Sequence, residues 1–274
     1  MTKPKISIIT PSYQQGHFIE ETILSVLNQG YENLEYIIMD GGSTDNTVEI
    51  IKKYEDRITF WVSEKDKGQT DAINKGFKMA TGDIIAWLNS DDVYCDGALQ
   101  AIADYFTSTP DCEWLAGNIL FMTMDGNVYV RKYPNTSRWL ERNIMLNTFQ
   151  PNVFLRRSIL SSIGYPREDY HMTMDYEWFY RIAQKFPLHI LNKDIAKFRW
   201  HVDSKSSSAP NSKAQQRYHA ETIQLIQKYH PKLTWLTNNH PKMTLSVWFR
   251  FVMFVRFLER MRKGELGKLS DKIT

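Results

Sequence analysis

Short apolar strand patterns alternate with helical patterns through the first half of the chain. The segment from Ile6 to Thr10 is typical of a strand, and the apolar residues after it recur at helical spacing. Further apolar runs at 35–40, 58–62 and 83–88 repeat this arrangement. Because these runs do not alternate with polar residues, they indicate strands that are covered on both faces. We therefore expect an α/β fold, with helices flanking a mostly parallel sheet.

Composition limits the cellular setting and the kinds of partner. The chain has 274 residues, of which 42% are hydrophobic, so it can bury a full core without disulfides. Its two cysteines, Cys95 and Cys112, lack CxxC spacing, and the N-terminus enters a strand pattern with no signal-peptide character. We expect a cytoplasmic protein that is not exported. A net charge of +3 does not favour nucleic acid as a partner.

The second half has a different pattern. It predicts a hairpin around Asp125, a helix over 174–182, and strands near 188–191 and 195–200. We assign residues 1–213 to one domain, with halves of about 1–110 and 111–213, and residues 214–274 to a helical extension. A helix is predicted from Ala214 to Tyr229 after a Ser-rich loop.

Two adjacent carboxylates follow the fourth predicted strand. In open α/β sheets, ligands bind beyond the carboxyl ends of the strands, and Asp91 and Asp92 in the sequence NSDD lie at such an end. Paired carboxylates suit Mg²⁺ or Mn²⁺, which take further ligands from water and a diphosphate. A turn and helix cap is the alternative, since Asp and Asn favour both.

Asp40 ends the second predicted strand and begins the sequence DGGSTD. An acid at this point could accept hydrogen bonds from a nucleoside base or ribose. An ordinary βα turn is the alternative. A dinucleotide enzyme is disfavoured, because TPSYQQG, and not GxGxxG, follows the first strand.

Two acids open the predicted helix at 174–182. Asp175 and Glu177 lie about 200° apart around it, so only one can point into a given cleft. Either could act as a general base, or both could be helix N-terminal acids stabilised by the dipole. His201 ends an apolar strand, where it could bind a metal or diphosphate, or be merely structural.

Together, these segments resemble glycosyltransferase family 2, the inverting family with the GT-A fold. The resemblance covers roughly Lys5 to His201 and is strongest among bacterial enzymes of O-antigen and other surface polysaccharides. The motifs occur in the family's order: ITPSYQQG to DGGSTDNT, KGQTDAINKGF to NSDD, FQPNVFLRRSIL, MDYEWFYRI and FRWH.

The resemblance implies roles for individual residues. Asp175 would be the base that deprotonates an acceptor hydroxyl, Asp92 would bind Mg²⁺ or Mn²⁺, and His201 would contact the metal or the diphosphate. Acceptor or sugar contacts would come from Gln150, Glu177 and Trp178. The residues implied in binding the nucleotide sugar are Thr10, Pro11, Tyr13, Asp40, Gly68, Asp71 and Asp91.

The implied donor is a nucleotide-diphosphate sugar of the UDP, GDP or dTDP type, and the acceptor is a glycan or lipid-linked glycan. Residues 1–110 would then bind the nucleotide, and residues 111–213 would face the acceptor. Two departures from the family affect these roles. Many members carry paired acids where this chain has Asp40 and Gly41, and the usual acid before the base is Met174 here.

The C-terminal segment from Met243 to Leu258 is rich in aromatic and apolar residues. Its 16 residues include Arg250 and Arg256, so it is too short and too charged to span a bilayer comfortably. It predicts peripheral contact with the cytoplasmic face of the inner membrane. The alternative is a helix that packs on the core or on a second subunit.

Two other functions have weaker support. A nucleotidyltransferase would need a Gly-rich, basic phosphate loop after the first strand, and TPSYQQG does not provide one. A non-catalytic partner in a polysaccharide assembly complex would not need Asp91, Asp92 and Asp175 together.

Overall fold

A computed structural model describes residues 3–132, 134, 142, 149–201, 212–231 and 238–239. The chain divides into two compact units, Met1–Ser208 and Ala209–Thr274. The domain boundary predicted near residue 213 stays a prediction.

The first unit alternates strands and helices, as the sequence predicts. Its strands are β1 (Ile6–Ser12), β2 (Leu34–Asp40), β3 (Phe60–Ser63), β4 (Ile84–Trp87), β5 (Val93–Tyr94), β6 (Trp114–Met122), β7 (Val128–Lys132), β8 (Val153–Arg156) and β9 (His189–Arg199). Its described helices are α1 (Ile19–Leu27), α2 (Thr47–Lys52), α3 (Gln69–Met79), α4 (Ala98–Ser108), α5 (Ser158–Ser162) and α6 (Met174–Lys185).

The described strands form one sheet in the order β3-β2-β1-β4-β8-β6-β9-β5, with β7 paired to β6. The pairs among β1 to β4 are parallel, which confirms the α/β arrangement expected for the first half. The second half makes the sheet mixed, because β8 lies antiparallel to both β4 and β6. The carboxyl ends of β1, β2 and β4 therefore lie at one edge.

Strand β6 is the centre of the second half. It forms the predicted hairpin with β7, in which Gly126 adopts a positive φ of 84°. It also pairs in parallel with β9, a single strand where the sequence predicts two. The register between β6 and β9 shifts near Gly117, whose backbone approaches Ile195 so closely that a Cβ would lie 2.1 Å from its side chain.

Aromatic packing joins α3 and α6 to the sheet. Trp87 of β4 packs against Trp178 and Phe179 of α6, with ring centroids 5.8 and 5.7 Å apart. Phe77 of α3 contacts both tryptophans. Helix α3 lies close to β1, because a Cβ on Gly76 would lie 2.5 Å from an Ile9 methyl carbon. The two helices are thus held on one face of the sheet.

The second unit contains α7 (Lys213–Tyr229), which confirms the predicted helix at 214–229. Ser212 caps this helix by accepting a hydrogen bond from the backbone N–H of Gln215 at 3.1 Å. The segment from Met243 to Leu258 lies outside the described residues, so its membrane contact stays a prediction. Among the helices that the structure describes, none is both long enough and apolar enough to cross a membrane.

Glu35 ties three parts of the sheet together. Its side chain is 7% exposed and accepts hydrogen bonds from Ser7 Oγ at 2.5 Å, Lys5 Nζ at 2.9 Å, and the Thr81 backbone N–H and hydroxyl at 2.7 Å each. Burial opposes ionisation, but these hydrogen bonds outweigh it and lower the pKa of Glu35 to about 2. The ionised carboxylate therefore stabilises the contact of β1, β2 and the turn before β4.

We predict that Glu35→Gln lowers the free energy of unfolding at pH 7 by about 1–3 kcal/mol, because it replaces a buried, hydrogen-bonded carboxylate. Since the folded-state pKa lies below the ordinary value of 4.5, this stabilisation is present above pH 4.5 and is lost as the pH falls towards 2. Urea unfolding at pH 7, 4 and 3 checks the effect, with the exposed Glu32→Gln as control. An equal difference from the unmodified chain at pH 7 and pH 3 would refute it.

Candidate active site

Asp40 fixes the loop after β2. Its carboxylate is 2% exposed and accepts hydrogen bonds from the backbone N–H groups of Gly42 and Ser43 at 3.1 and 2.8 Å. The hydroxyls of Ser43 and Ser63 each donate to it at 2.6 Å. Asp40 therefore shapes the loop that follows it, and its contact with a nucleoside stays a prediction.

Gly41 lies against the side chain of Asp66. A Cβ on Gly41 would lie 2.7 Å from Asp66 Oδ2. The carboxylate of Asp66, which comes from the loop after β3, therefore fills the space that a side chain at position 41 would need. Asp66 also accepts a hydrogen bond from the Gly68 backbone N–H at 2.7 Å.

The residues predicted at the end of β1 have different environments. The hydroxyl of Thr10 is buried and lies 3.1 Å from the Tyr36 hydroxyl, so it faces the core. Pro11 is also buried. The ring of Tyr13 is 60% exposed. Of these three side chains, only that of Tyr13 is open to a ligand.

The predicted Gly68 and Asp71 shape the start of α3. Gly68 precedes the helix with a φ of 115°, in a region that favours glycine. Asp71 accepts a hydrogen bond from the Lys67 backbone N–H at 3.1 Å and lies 3.4 Å from Lys75 Nζ. Burial would raise the pKa of Asp71, but these two contacts outweigh it and lower the pKa. Ionised Asp71 thus stabilises the turn that leads into α3.

Helix α3 also contacts the turn after β4. Gln69 Nε2 donates to Asn89 Oδ1 at 2.8 Å. We call residues Asn89 to Asp92 the acid turn. The Asp92 backbone N–H donates to the Asn89 carbonyl at 3.1 Å, which closes the turn.

The two aspartates of the acid turn face different surroundings. Asp91 has a side chain that is 20% exposed, and its Oδ2 lies 3.0 Å from His201 Nε2. Asp92 is 1% exposed, and its Oδ1 accepts a hydrogen bond from the Arg199 backbone N–H at 3.0 Å. Its Oδ2 has no hydrogen-bond partner among the described residues. Burial, and then the nearby charge of Asp91, raises the pKa of Asp92 well above its usual value.

Arg199, which the sequence reasoning missed, holds the acid turn in place. It is 2% exposed, and its Nε donates to the Asp91 carbonyl at 3.0 Å. Its Nη1 donates to the Met124 carbonyl at 2.7 Å, and its Nη2 pairs with the Glu21 carboxylate. The available signal was an arginine flanked by aromatic residues in FRWH, at the end of an apolar strand.

Residues at the start of α1 lie beside Arg199, His201 and the acid turn. The Phe18 ring lies 4.7 Å from the His201 ring, and the Arg199 guanidinium carbon lies 5.3 Å from the Phe18 centroid. Thr22 Oγ1 donates to the Asp92 carbonyl at 2.7 Å. Segments that are far apart in the sequence thus meet around Asp91 and His201.

The chemistry of this site fits a divalent cation with few protein ligands. In the described parts of the chain, no group of three or more His, Cys, Asp or Glu side chains gathers to hold a metal. Asp91 and His201 nevertheless bring an oxygen and a nitrogen ligand within 3.0 Å of each other. Mg²⁺ and Mn²⁺ commonly use one or two protein ligands with water and substrate phosphates. Asp92, the predicted metal ligand, lies buried behind this pair.

Asp175 lies in the first turn of α6 and is partly exposed. Its Oδ1 accepts a hydrogen bond from the Tyr176 backbone N–H at 2.8 Å. Met174 occupies the position of the missing acid, and its sulfur accepts a hydrogen bond from Thr70 Oγ1 of α3 at 2.8 Å. Helix α3 therefore contacts both the acid turn, through Gln69, and the start of α6.

Two of the predicted acceptor contacts, Glu177 and Trp178, are buried in this structure. Glu177 is fully buried and pairs with Arg181 at 2.9 Å, on the side of α6 away from solvent. Trp178 is also fully buried, and its Nε1 donates to the Gly164 carbonyl at 2.8 Å. Both side chains hold α6 to the core, and their contact with an acceptor stays a prediction.

Gln150, the third predicted acceptor contact, lies beside the end of β4. It is 8% exposed, and its Nε2 donates to the Trp87 carbonyl. Its Oε1 has no hydrogen-bond partner in the described part of the chain. This oxygen is buried, and the contact of Gln150 with an acceptor stays a prediction.

Comparison with curated proteins finds bacterial glycosyltransferases. The chain is 35% identical to an uncharacterized glycosyltransferase of Haemophilus influenzae, over 46% of this chain and 52% of that protein. It is 35% identical to the putative teichuronic acid biosynthesis glycosyltransferase TuaG of Bacillus subtilis, over 45% of this chain and 50% of TuaG. It is also similar to WfgD of Escherichia coli, a UDP-Glc:alpha-D-GlcNAc-diphosphoundecaprenol beta-1,3-glucosyltransferase. The identity is 40%, over 35% of this chain and 38% of WfgD. The matches thus span about half or less of these relatives.

Solved structures share the fold. Staphylococcus aureus TarS 1–349 in complex with UDP-GlcNAc matches 82% of this chain and 66% of its own, with a TM-score of 0.60 and 20% identity. The mannosyltransferase PcManGT from Pyrobaculum calidifontis, in complex with GDP-Man and Mn²⁺, matches 82% of this chain and 62% of its own. The TM-score is 0.54 and the identity is 17%. The predicted GT-A fold is confirmed.

The family model described as "Glycosyl transferase family 2" matches residues 7–167. This match covers more than half of the 274 residues. The chain therefore belongs to glycosyl transferase family 2.

Proposed function

We propose that this protein is an inverting glycosyltransferase that transfers a sugar from a nucleotide-diphosphate sugar to a hydroxyl of a glycan or lipid-linked glycan. The observation that carries the proposal is the Asp91–His201 pair, which Arg199 holds beside the carboxyl ends of the parallel strands. In open α/β sheets this edge is where ligands bind. A place in bacterial surface polysaccharide synthesis is supported by TuaG, whose name refers to teichuronic acid biosynthesis.

The donor belongs to the nucleotide-diphosphate sugars. TarS binds UDP and UDP-GlcNAc in its solved complexes, and PcManGT binds GDP-Man. On this chain, the exposed ring of Tyr13 and the loop ordered by Asp40 are the groups we assign to the nucleoside. The cytoplasmic location and the lack of a nucleic-acid partner stay predictions.

We assign Mg²⁺ or Mn²⁺ binding to Asp91 and His201, and not to Asp92, the ligand that the sequence predicts. Asp91 is the partly exposed acid, whereas Asp92 is buried and bonded to the Arg199 backbone. A bound divalent cation neutralises charge that develops on a leaving diphosphate. Asp92 then serves to hold the acid turn against β9.

Asp175 is the base in this proposal. The acceptor oxygen forms a bond to the anomeric carbon, while the bond from that carbon to the diphosphate oxygen breaks and its electron pair leaves with the diphosphate. The proton of the acceptor hydroxyl passes to the Asp175 carboxylate. A single displacement from the opposite side inverts the anomeric carbon without a protein nucleophile.

We expect Asp175→Asn to lower kcat by about 10²- to 10⁴-fold, because an amide cannot accept the acceptor proton. The donor KM should change by less than about threefold, since the change leaves uniform donor binding intact. Nucleotide release from UDP-glucose and UDP-GlcNAc, with a short-chain GlcNAc diphosphate lipid as acceptor, measures both. Asp169→Asn, which removes an exposed carboxylate paired with Arg167, is the matched control. Near-normal turnover in Asp175→Asn would eliminate this base.

We expect Asp91→Asn to weaken the Mn²⁺-dependent binding of a nucleoside diphosphate by about tenfold or more, because a neutral amide replaces the negatively charged oxygen ligand. Asp92→Asn should retain most of the Mn²⁺ dependence, because its Oδ1 is already bound to the Arg199 backbone N–H. Calorimetric titration of UDP, GDP and dTDP with and without Mn²⁺ compares the two variants. The reverse result, with the dependence lost only in Asp92→Asn, would restore Asp92 as the ligand.

A further inference from the structure

A cavity of about 680 Å³ lies at the opposite edge of the sheet from the candidate active site. We call it the amino-edge cavity, because it lies beside the start of β4, where β8 ends and α3 ends. The length of β4 therefore separates it from the acid turn. The wall residues on which the inference depends are Lys78, Asp83, Arg156, Arg157, Leu160 and Tyr165. Its volume is within the range of roughly 300–1,000 Å³ that is typical of sites for small organic molecules.

Positive charge predominates in the wall of the amino-edge cavity. Three basic side chains, those of Lys78, Arg156 and Arg157, face one acid, Asp83. None of the three forms an ion pair with a carboxylate in the parts of the chain that the structure describes. Asp83 instead accepts a hydrogen bond from the Lys5 backbone N–H at 2.9 Å. The wall thus has an excess of two positive charges.

Charged groups next to the wall do not cancel this excess. Glu113 adds one negative charge, since its carboxylate accepts a hydrogen bond from the Ser158 hydroxyl at 2.7 Å. Lys185 adds one positive charge, because its Nζ lies 3.5 Å from the carbonyl of the last residue of α5. Arg181, which donates to the Tyr165 carbonyl, is neutralised by Glu177.

Arg157 is a fixed donor in this wall. Its backbone N–H donates to the Asp83 carbonyl, and its Nε donates to the Gly82 carbonyl, each at 2.9 Å. The two terminal nitrogens of the guanidinium make no hydrogen bond with the described residues. A guanidinium that is held at one nitrogen and open at the others can bind a phosphate with two parallel hydrogen bonds.

Lys78 and Tyr165 provide two further open groups. Lys78 is exposed, and its Nζ lies 5.9 Å from the centroid of the Tyr165 ring. The Tyr165 hydroxyl makes no hydrogen bond within the described residues. Lys78 also lies in the last turn of α3, where a cation is stabilised by the helix dipole. This structural role accounts for Lys78 alone and leaves the open donors of Arg157 and Tyr165 unexplained.

Arg156 has a structural role in the same wall. Its Nε donates to the Cys112 carbonyl at 2.7 Å, and its Nη2 donates to the Phe106 carbonyl at 3.0 Å. These bonds hold the end of α4 against β8. Arg156 therefore contributes its charge to the cavity, whereas Lys78 and Arg157 have donors that are open to a ligand.

We propose that the amino-edge cavity binds a phosphorylated small molecule, whose phosphate oxygens accept hydrogen bonds from Lys78 and Arg157. A phosphate monoester carries about −1.5 to −2 charge at neutral pH, which matches the excess of two positive charges. The side chains of Leu160 and Tyr165 form an apolar part of the wall for the organic portion of the ligand. The inference does not depend on the proposed transferase reaction, because this cavity and the acid turn lie at opposite ends of β4.

The test is calorimetric titration of the full chain in EDTA, which suppresses metal-dependent binding at the candidate active site. The probes are glucose 1-phosphate and UMP, with inorganic phosphate, glucose and uridine for comparison. The variants are Lys78→Gln, Lys78→Arg and Arg157→Gln. Lys52→Gln is the matched control, because Lys52 is an exposed lysine in the last turn of α2, as Lys78 is in the last turn of α3.

We expect glucose 1-phosphate, UMP or both to bind the unmodified chain more tightly than inorganic phosphate does, and glucose and uridine not to bind this cavity. The tighter of the two shows whether a sugar or a nucleoside carries the phosphate. Lys78→Gln and Arg157→Gln should each weaken its binding by about tenfold or more, because each removes a charged donor. Lys78→Arg, which keeps the charge, and Lys52→Gln should stay within about threefold.

Several results would overturn the proposal. One is that neither organic phosphate binds, and another is that inorganic phosphate binds as tightly as both. Equal affinities in Lys78→Gln and Lys52→Gln would also reject the site, and this comparison stands even if Arg157→Gln does not fold, since Lys78 is exposed. Binding to phosphatidylglycerol vesicles that Lys78→Gln abolishes, without binding of either organic phosphate, would assign these cations to a membrane surface instead.

Discussion

The guanidinium of Arg199 is the interaction on which the site depends. It joins the end of β9 to the acid turn, to the β6–β7 turn and to α1, through the Asp91 carbonyl, the Met124 carbonyl and the Glu21 carboxylate. A planar guanidinium suits this position, because its fixed donors can meet several acceptors at once. Strand β5, which follows the acid turn, pairs with β9, and the guanidinium extends this connection to the acid turn itself.

The same interaction accounts for the unequal roles of Asp91 and Asp92. The backbone N–H of Arg199 binds Asp92 Oδ1, so the second carboxylate turns inward while the first meets His201. Leaving the other oxygen of Asp92 buried without a described partner costs about 1–3 kcal/mol. We infer that the contacts of Arg199 offset this cost and hold the acid turn in place.

Much of this arrangement could be predicted from the sequence, because it depends on local patterns. The apolar runs gave the strands of the first half, and the polar residues after β4 located the acid turn. Contacts between distant segments had no local signal. Glu177 is polar and lies two residues from Asp175, yet its side chain is buried and paired with Arg181. Helical spacing separated the two acids but could not tell which one faces the core. Arg199 stands between aromatic residues in FRWH, but its partners lie far away in the chain, so this local pattern did not indicate its role.

The most direct test of this account compares Arg199→Lys with Glu21→Gln. Lysine keeps the charge but cannot bind all three acceptors of the guanidinium, whereas Glu21→Gln alters only the half-exposed partner. The measurement is the Mn²⁺-dependent affinity for whichever of UDP, GDP and dTDP the unmodified chain binds most tightly, with cooperative unfolding as the check on folding. We predict a loss of about 10- to 100-fold for Arg199→Lys and less than about threefold for Glu21→Gln. A folded Arg199→Lys variant with unchanged affinity would contradict the account.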